Sequence, residues 1–230
     1  MTEDRNRAAV LSRIRAALGV RAMDGARKEA VADRLRRHPR GTIPARARGD
    51  RETLIRLFAT MLAKQGADVI RTQAGEDAVK AVAAELGKHD LPALLRLGSD
   101  PLLAALPWAA APRLELRFGK AGPRDRAAMS RAVAAAAETG TLFLVSGADN
   151  PTTLAFLPEQ HIVLIRAADI FGAYEDAFNR LRAVYGEGNL PRSVNLVSGP
   201  SRTADIEQTI VRGVHGPKRL SVVVLDEDRL

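Results

Sequence analysis

The segment HIVLIRAADIFGAYEDAFNRLRAV, residues 161–184, joins a run of consecutive apolar residues to an amphipathic pattern. The run HIVLIR is apolar at successive positions, as expected of a strand that is covered on both faces. Residues 170–184 then place apolar side chains at helical spacing. A buried strand followed by an amphipathic helix is typical of an α/β fold.

The same alternation extends through most of the chain in both directions. The pattern predicts helices at 53–65, 76–86, 126–137 and 203–212, and strands at 67–72, 93–98, 113–118, 141–147 and 220–225. The strand at 113–118 alternates apolar and charged residues, which suits a sheet edge. We therefore expect an open α/β sandwich with a mostly parallel sheet over residues 51–230.

Residues 1–50 form a basic arm. They contain 13 Lys and Arg against 6 Asp and Glu, whereas the rest of the chain contains 22 against 21. Apolar spacing predicts one helix over 3–18 and a second around Val31 and Leu35. Two interpretations remain open: the arm packs on its own domain or on a second copy, giving a homo-oligomer, or it docks an acidic partner.

Composition and charge argue against several classes of protein. The body of the chain is nearly neutral, and the arm has no aromatic residue before Phe58, which argues against nucleic-acid binding. Without cysteine, the chain offers no disulfide, zinc-thiolate cage or cysteine-bound iron–sulfur cluster. We expect no cofactor in this chain. No apolar run is long enough to span a membrane, and we expect a cytoplasmic protein.

The four histidines do not indicate a metal site, because no two have the spacing of metal ligands. His161 opens a predicted strand, where a histidine hydrogen-bonded within the fold is favoured over a ligand. No glycine-rich nucleotide loop follows a strand, which argues against a dinucleotide enzyme.

The first candidate site is the turn Glu138, Thr139, Gly140 and Thr141. Glu138 would end the predicted helix 126–137, where its charge opposes the helix dipole, so it needs a partner or a role. It could serve as a general base, nucleophile or cation ligand. It could equally fix the turn by accepting hydrogen bonds from backbone N–H groups.

The second candidate site lies within residues 199–217. Gly199 and Pro200 would turn the chain, and the predicted helix 203–212 would expose backbone N–H groups that favour an anion. Arg202 could pair with a carboxylate or phosphate. Capping of the helix is the alternative role of three residues, Ser201, Thr203 and Asp205. His215, next to Gly216, would brace a tight turn.

Four segments carry a resemblance to a known family: AETGTLFLVSG (137–147), LPEQHIVLIRAADI (157–170), GPSRTADIEQTIVRGVHGP (199–217) and LSVVVL (220–225). From about Arg51 onward the sequence resembles the LUD-domain family, in its lactate utilization protein C (LutC) branch. The resemblance implies a three-layer α/β sandwich like that of ribose-5-phosphate isomerase and CoA transferases. It also carries the family pattern onto both candidate sites, including Glu207 and Pro217.

The resemblance implies a part in a multi-subunit system that oxidises L-lactate to pyruvate with iron–sulfur and cysteine-rich partner subunits. A chain without cysteine would then be an accessory or substrate-binding subunit rather than a stand-alone enzyme. We expect Arg202, the turn after Gly199 and the Glu138 turn to line one pocket for a small carboxylate. The alternative is a CoA-transferase-like enzyme in which Glu138 is the nucleophile.

Overall fold

The structure is a computed structural model that describes residues 2–19, 25–206 and 209–226. The chain divides into two compact units, Met1–Thr42 and Ile43–Leu230. The first unit contains helices α1 (Thr2–Ala17) and α2 (Gly25–Arg37). The predicted boundary at residue 50 stays a prediction.

The second unit is built on a six-stranded sheet in which every neighbouring pair is parallel. The strand order is β1-β12-β7-β4-β2-β3. These strands are β1 (Asp68–Thr72), β2 (Leu94–Leu97), β3 (Glu115–Phe118), β4 (Ala127–Arg131), β7 (Gln160–Arg166) and β12 (Arg219–Leu225). The parallel sheet and the edge position of β3 confirm the predicted α/β class.

A second sheet of four strands has the order β8-β5-β6-β9. Its members are β5 (Ala134–Ala136), β6 (Thr141–Val145), β8 (Ile170–Phe171) and β9 (Val194–Val197). Strand β6 is antiparallel to both β5 and β9. The strand predicted at 141–147 is therefore present, but it lies outside the parallel sheet.

Helices of the second unit cover these sheets. They are α3 (Arg51–Lys64), α4 (Gly75–Lys88), α5 (Pro101–Ala104), α6 (Thr153–Phe156) and α7 (Tyr174–Tyr185). Alternate residues of β7 pack into two different hydrophobic cores. Ile162 and Leu164 belong to the core that contains the α4 residues, whereas Val163 and Ile165 belong to the core that contains residues of α3 and of the second sheet. Burial on both faces explains why β7 is apolar at consecutive positions.

The helix predicted over 126–137 is wrong, because this segment forms strands β4 and β5. Strand β4 pairs with both β2 and β7 inside the parallel sheet. Ala135 and Ala137 belong to the core that contains residues of α3, whereas Ala134 and Ala136 belong to a separate core that contains residues of α7. The high helix propensity of alanine is overridden by this burial on two sides, which only a strand's period of two provides.

The helix predicted over 203–212 is also wrong. Residues 202–212 contain an antiparallel pair, β10 (Arg202–Ile206) and β11 (Thr209–Arg212). The segment is rich in β-branched residues, which pack well on a pleated surface, and this preference prevails over the helical spacing of its isoleucines. The helical spacing of Ile206, Ile210 and Val214 predicts one buried stripe, but Val214 is 44% exposed.

Within the described ranges, no helix combines the length and the apolar character needed to cross a membrane.

Candidate functional site

Glu138 holds the start of helix α7. It follows β5, and its backbone N–H donates to the Gly172 carbonyl over 3.0 Å. Its carboxylate Oε1 accepts a 2.9 Å hydrogen bond from the Tyr174 N–H, in the first turn of α7. The side chain is buried. A carboxylate is favourable at the positive end of a helix, so Glu138 has a structural partner whether or not it has a chemical role.

Four hydroxyl groups meet beside this carboxylate. The Thr141 hydroxyl lies 2.7 Å from those of Thr139, Tyr174 and Ser198. Thr139 also donates to the Tyr174 hydroxyl over 3.1 Å. We call these four residues the hydroxyl cluster. It runs from the fully buried Thr141 to the exposed Ser198.

The geometry makes Thr141 the centre of the hydroxyl cluster. A hydroxyl group donates one hydrogen bond and accepts two, so three neighbours satisfy Thr141 completely. The four bonds of the cluster use all four hydroxyl hydrogens. The other three hydroxyls therefore keep unused acceptor capacity, and a hydroxyl donates to a ligand by exchanging its bond within the cluster. The cluster therefore has the groups needed to bind a small oxygen-rich ligand at its exposed end.

Gly140 fits the turn closely against helix α3. Its φ of +67° lies in the left-handed region, and a Cβ at this position would lie 2.7 Å from the Leu62 backbone nitrogen. Glycine alone satisfies both conditions without strain. This contact fixes Thr139 and Thr141 relative to α3.

The second predicted motif meets the first through Ser198. Strand β9, which ends one residue before Ser198, pairs with β6 at Leu142 and Val197. Gly199 follows, and a Cβ there would lie 2.8 Å from the Cβ of Gln65, the residue that ends α3. The structure thus brings the Glu138–Thr141 turn and the Gly199 turn together at the end of α3.

Arg202 lies at the C-terminal end of α3. Its Nη2 donates to the Gln65 carbonyl, and its cross-strand neighbour Arg212 also approaches Gly66. Cations are favourable at this negative end of a helix. The expected anion-binding helix start at Ser201 to Thr203 does not exist, because β10 occupies that position. Any anion here would be bound by arginine side chains and hydroxyls.

The remaining predicted site residues lie around the base of the β10–β11 hairpin. The Ser201 N–H donates to the Pro217 carbonyl over 2.9 Å, and the Ser201 carbonyl accepts from the Gly213 N–H over 3.1 Å. A Cβ on Gly216 would lie 3.3 Å from the Ser201 Cβ. His215 is exposed.

Three further residues complete the placement of the second motif. Pro200 is buried, Thr203 is half-buried and pairs with Val211, and the backbone of Asp205 belongs to β10. Glu207 lies outside the described residues.

Two residues of the hydroxyl cluster had no clear signal in the sequence. Tyr174 begins a helix 35 positions after Thr139, and only the fold shows that its ring reaches the turn. Ser198 follows strand β9 directly, and its position beside Gly199 in the segment NLVSG was the available sequence signal for a role at this site.

A separate ionic cluster lies at the C-terminal ends of β4 and β7. Asp169, almost fully buried, accepts hydrogen bonds from Arg166 at 2.8 Å and Arg180 at 3.0 Å. Arg131 lies 3.9 Å from Asp169 and 3.5 Å from Asp100. A buried carboxylate needs such partners, so this cluster accounts for the buried charge of Asp169.

His161 is a neutral residue of the core. Its Nε2 lies 2.9 Å from the Ser130 hydroxyl, and both residues are buried. Burial lowers the pKa of His161 to about 3. The predicted role within the fold, rather than as a ligand, agrees with this partner.

Asp68, Glu85 and His89 place one ligand atom each within 4.8 Å of the others. The Lys88 Nζ, however, donates to Asp68 over 2.8 Å and to Glu85 over 3.4 Å. This ammonium group bridges the two carboxylates and offsets one of their two negative charges. Sequence spacing could not indicate the group, since Asp68 comes from β1, Glu85 from α4 and His89 from the C-terminal cap of α4.

The part of the chain that contains the candidate site is similar to a known class of domain. Residues 124–225 match the LUD domain model, which covers less than half of this chain. This region contains the hydroxyl cluster and both predicted motifs. A solved DUF162 family protein from Deinococcus radiodurans has a similar fold, with a TM-score of 0.57 and 23% identity over 77% of this chain and 99% of that one.

Curated relatives narrow the resemblance to the lactate utilization protein C branch. Lactate utilization protein C from Shouchella clausii is 37% identical over 91 residues, and that from Anoxybacillus flavithermus is 35% identical over 91 residues. Each match covers 40% of this chain and 40% of the relative. An uncharacterized protein from Neisseria meningitidis is 36% identical over 104 residues, or 45% of this chain and 44% of that protein. The matches thus span less than half the length of these relatives.

Proposed function

We propose that this chain is a subunit of a cytoplasmic system that oxidises L-lactate to pyruvate, and that it binds a small hydroxy- or keto-carboxylate at the hydroxyl cluster. The names of the relatives support lactate utilization as the process. The convergence of four hydroxyls on one turn is the observation that supports a ligand site in this chain.

The chemistry of the site suits a small carboxylate. Hydroxyl groups can donate to carboxylate oxygens and accept from the hydroxyl of lactate. Arg202 and Arg212 supply positive charge at the same end of α3 that Gly199 contacts. Guanidinium groups pair with carboxylates in a bidentate manner, which gives orientation as well as affinity.

The chain acts in this proposal without a redox group of its own. It has no cysteine, so it cannot hold an iron–sulfur cluster through thiolates. Electrons from lactate would pass to partner subunits with iron–sulfur and cysteine-rich centres. The role of this chain would be to bind the substrate and present it.

Calorimetric titration with L-lactate and with pyruvate tests the binding part. We expect Ser198→Ala and Arg202→Gln each to weaken binding by about tenfold or more, because each change removes one hydrogen bond to the charged ligand. Arg192→Gln, at an exposed position, is the control and should bind as wild type. Wild-type affinity in both site variants would exclude this site.

Reconstitution tests the process. Lactate-dependent dye reduction is measured with the partner subunits, with and without this chain, and with this chain alone. Activity in the complete mixture only is the expected result. Equal activity without this chain would exclude it as a required subunit.

A further inference from the structure

A second, strongly basic pocket lies at the β2–β3 edge of the parallel sheet. It encloses about 640 Å³. The chain that follows β3 crosses over β2 to reach β4, because the sheet order places β2 between them. This connection, residues 119–126, contains no helix. It therefore leaves a cavity where a crossover helix would normally cover the sheet.

The sheet face below this connection bears arginines. Leu95 and Leu97 of β2 face the core beside α4. Arg96, between them, points to the opposite face because successive side chains alternate in a strand. Arg96 is paired in register with Arg117 of β3. Adjacent parallel strands lie about 4.8 Å apart, so the two arginines are neighbours on one face.

The connection adds two more cations. Lys120 and Arg124 both line the cavity and are exposed. Within the described part of the chain, neither has a hydrogen-bond or ion-pair partner. The pocket thus holds four cationic side chains and one carboxylate, that of Asp125.

Two carboxylates, Asp125 and Glu115, pair with Arg96 and Arg117, so that two of the four cationic charges stay uncompensated. Arg96 donates to Asp125 over 3.2 Å and to the Phe118 carbonyl over 3.1 Å. Arg117 pairs with Glu115 over 2.7 Å, but both side chains are at least half exposed. Exposed ion pairs are weak and exchange readily with solvent ions, so Arg117 can turn to a ligand.

The connection is held in place before any ligand binds. The Gly122 N–H donates to Asp125 over 2.8 Å, and the Ala121 N–H donates to the Thr153 hydroxyl over 3.0 Å. Desolvation of Asp125 is outweighed by the bonds from Gly122 and Arg96, which keep the pKa of Asp125 below its ordinary value. A preformed cavity loses less entropy on binding than a flexible one.

We propose that this pocket binds a compact, multiply charged phosphate-type anion, of which pyrophosphate is the simplest member. The four cations exceed what Asp125 and Glu115 together compensate, whereas a diphosphate carries several charges and acceptor oxygens. The described lining has no aromatic side chain on which a nucleobase could stack. The ligand class is therefore a small polyanion rather than a nucleotide recognised by its base. This proposal does not depend on lactate binding.

The test is calorimetry of the full chain with pyrophosphate at fixed salt, beside titrations with L-lactate and a short single-stranded oligonucleotide. We expect Arg117→Gln and the Lys120→Gln, Arg124→Gln double variant each to weaken pyrophosphate binding at least tenfold. Lactate binding should not change in either variant. Arg192→Gln, which also removes one exposed charge, should bind pyrophosphate as wild type.

Three results would overturn the proposal: no pyrophosphate binding by wild type, equal binding by the pocket variants, or an equal loss in the Arg192→Gln control. Binding of the oligonucleotide but not pyrophosphate, lost in the same variants, would instead make the patch a nucleic-acid surface. Thermal unfolding of every variant checks that the fold is kept, as expected for exposed side chains.

Discussion

The hydroxyl oxygens of Thr141 and Ser198 lie 2.7 Å apart, although the residues are 57 positions apart in sequence. This contact joins the two motifs that the sequence singles out. It also places a fully buried hydroxyl next to one that solvent can reach. The candidate site is thus part core and part surface, and changes at its two ends should have different effects.

Thr141→Val should lower the free energy of unfolding by about 1–3 kcal/mol. The change keeps the side-chain shape but removes three of the four hydrogen bonds of the cluster, so that Ser198 loses its partner there and Thr139 and Tyr174 keep only their mutual bond. The loss of hydrogen bonds at a buried position carries this cost. Chemical denaturation measures it. Thr60→Val, at an exposed position of α3, is the control and should cost less than about 0.5 kcal/mol.

A double-mutant cycle with Tyr174→Phe measures how far Thr141 acts through the cluster. Because the two hydroxyls share a 2.7 Å contact, the single effects should not add, and the coupling energy should be about 0.5 kcal/mol or more. Additive effects would show that the four hydroxyls do not act as a network.

Gly140→Ala should be strongly destabilising. Alanine in the left-handed region costs about 1–2 kcal/mol, and the new Cβ would also lie 2.7 Å from the Leu62 nitrogen. Gly188→Ala separates the two causes, since Gly188 has a φ of +74° but nothing within 4 Å of its added Cβ. We expect Gly140→Ala to cost about 1–3 kcal/mol more than Gly188→Ala. Equal costs would mean that the turn does not depend on close packing against α3.

Glu138→Gln separates the two interpretations of this residue. If the carboxylate mainly fixes α7, the variant should lose about 1 kcal/mol of stability, because a neutral amide interacts less favourably with the helix start. Lactate binding at the exposed end should then be kept. Thermal unfolding and calorimetry measure the two effects.

The CoA-transferase alternative makes the opposite prediction for Glu138. A nucleophilic glutamate would attack the thioester of an acyl-CoA and displace the CoA thiolate, which would then attack the resulting anhydride to form a glutamyl–CoA thioester and release the acyl group as a free carboxylate. Mass spectrometry would detect this thioester in wild type but not in Glu138→Gln. The 2.9 Å bond from the Tyr174 N–H already engages one carboxylate oxygen. We therefore expect no adduct in either protein, and an adduct on Glu138 would favour the transferase.

The sequence predicted the parallel sheet well because β7 and β12 are apolar on both faces and are bounded by clear turns. The prediction of a helix at Ala134–Ala136 failed for a physical reason. A strand between two cores alternates its contacts, but a run of identical alanines shows no alternation in the sequence. The prediction for residues 203–212 failed in the same direction, since isoleucines four positions apart suggested a helix where the chain forms two antiparallel strands.

The candidate site was only partly predictable for a related reason. Local signals indicated the Glu138–Thr141 turn and Gly199, where chain geometry restricts the residue type. Tyr174 reaches the cluster because α7 starts against β5, and that arrangement depends on packing between distant segments. Its contribution could be found only from the fold.

His161 should make the stability of the protein depend on pH below neutrality. Burial lowers its pKa to about 3 in the folded protein, whereas an unfolded histidine has an ordinary pKa of about 6.5. Between these values the unfolded state binds one more proton than the folded state, so stability falls as the pH falls. The slope from this residue should approach about 1.4 kcal/mol per pH unit and be absent above about pH 7. Denaturation across pH 4–7 measures this slope.

His161→Gln, which can keep a hydrogen bond to Ser130, should flatten the profile of stability against pH, whereas His215→Gln, at an exposed position, is the matched control. A profile as steep in His161→Gln as in wild type would show that other groups cause the acid sensitivity.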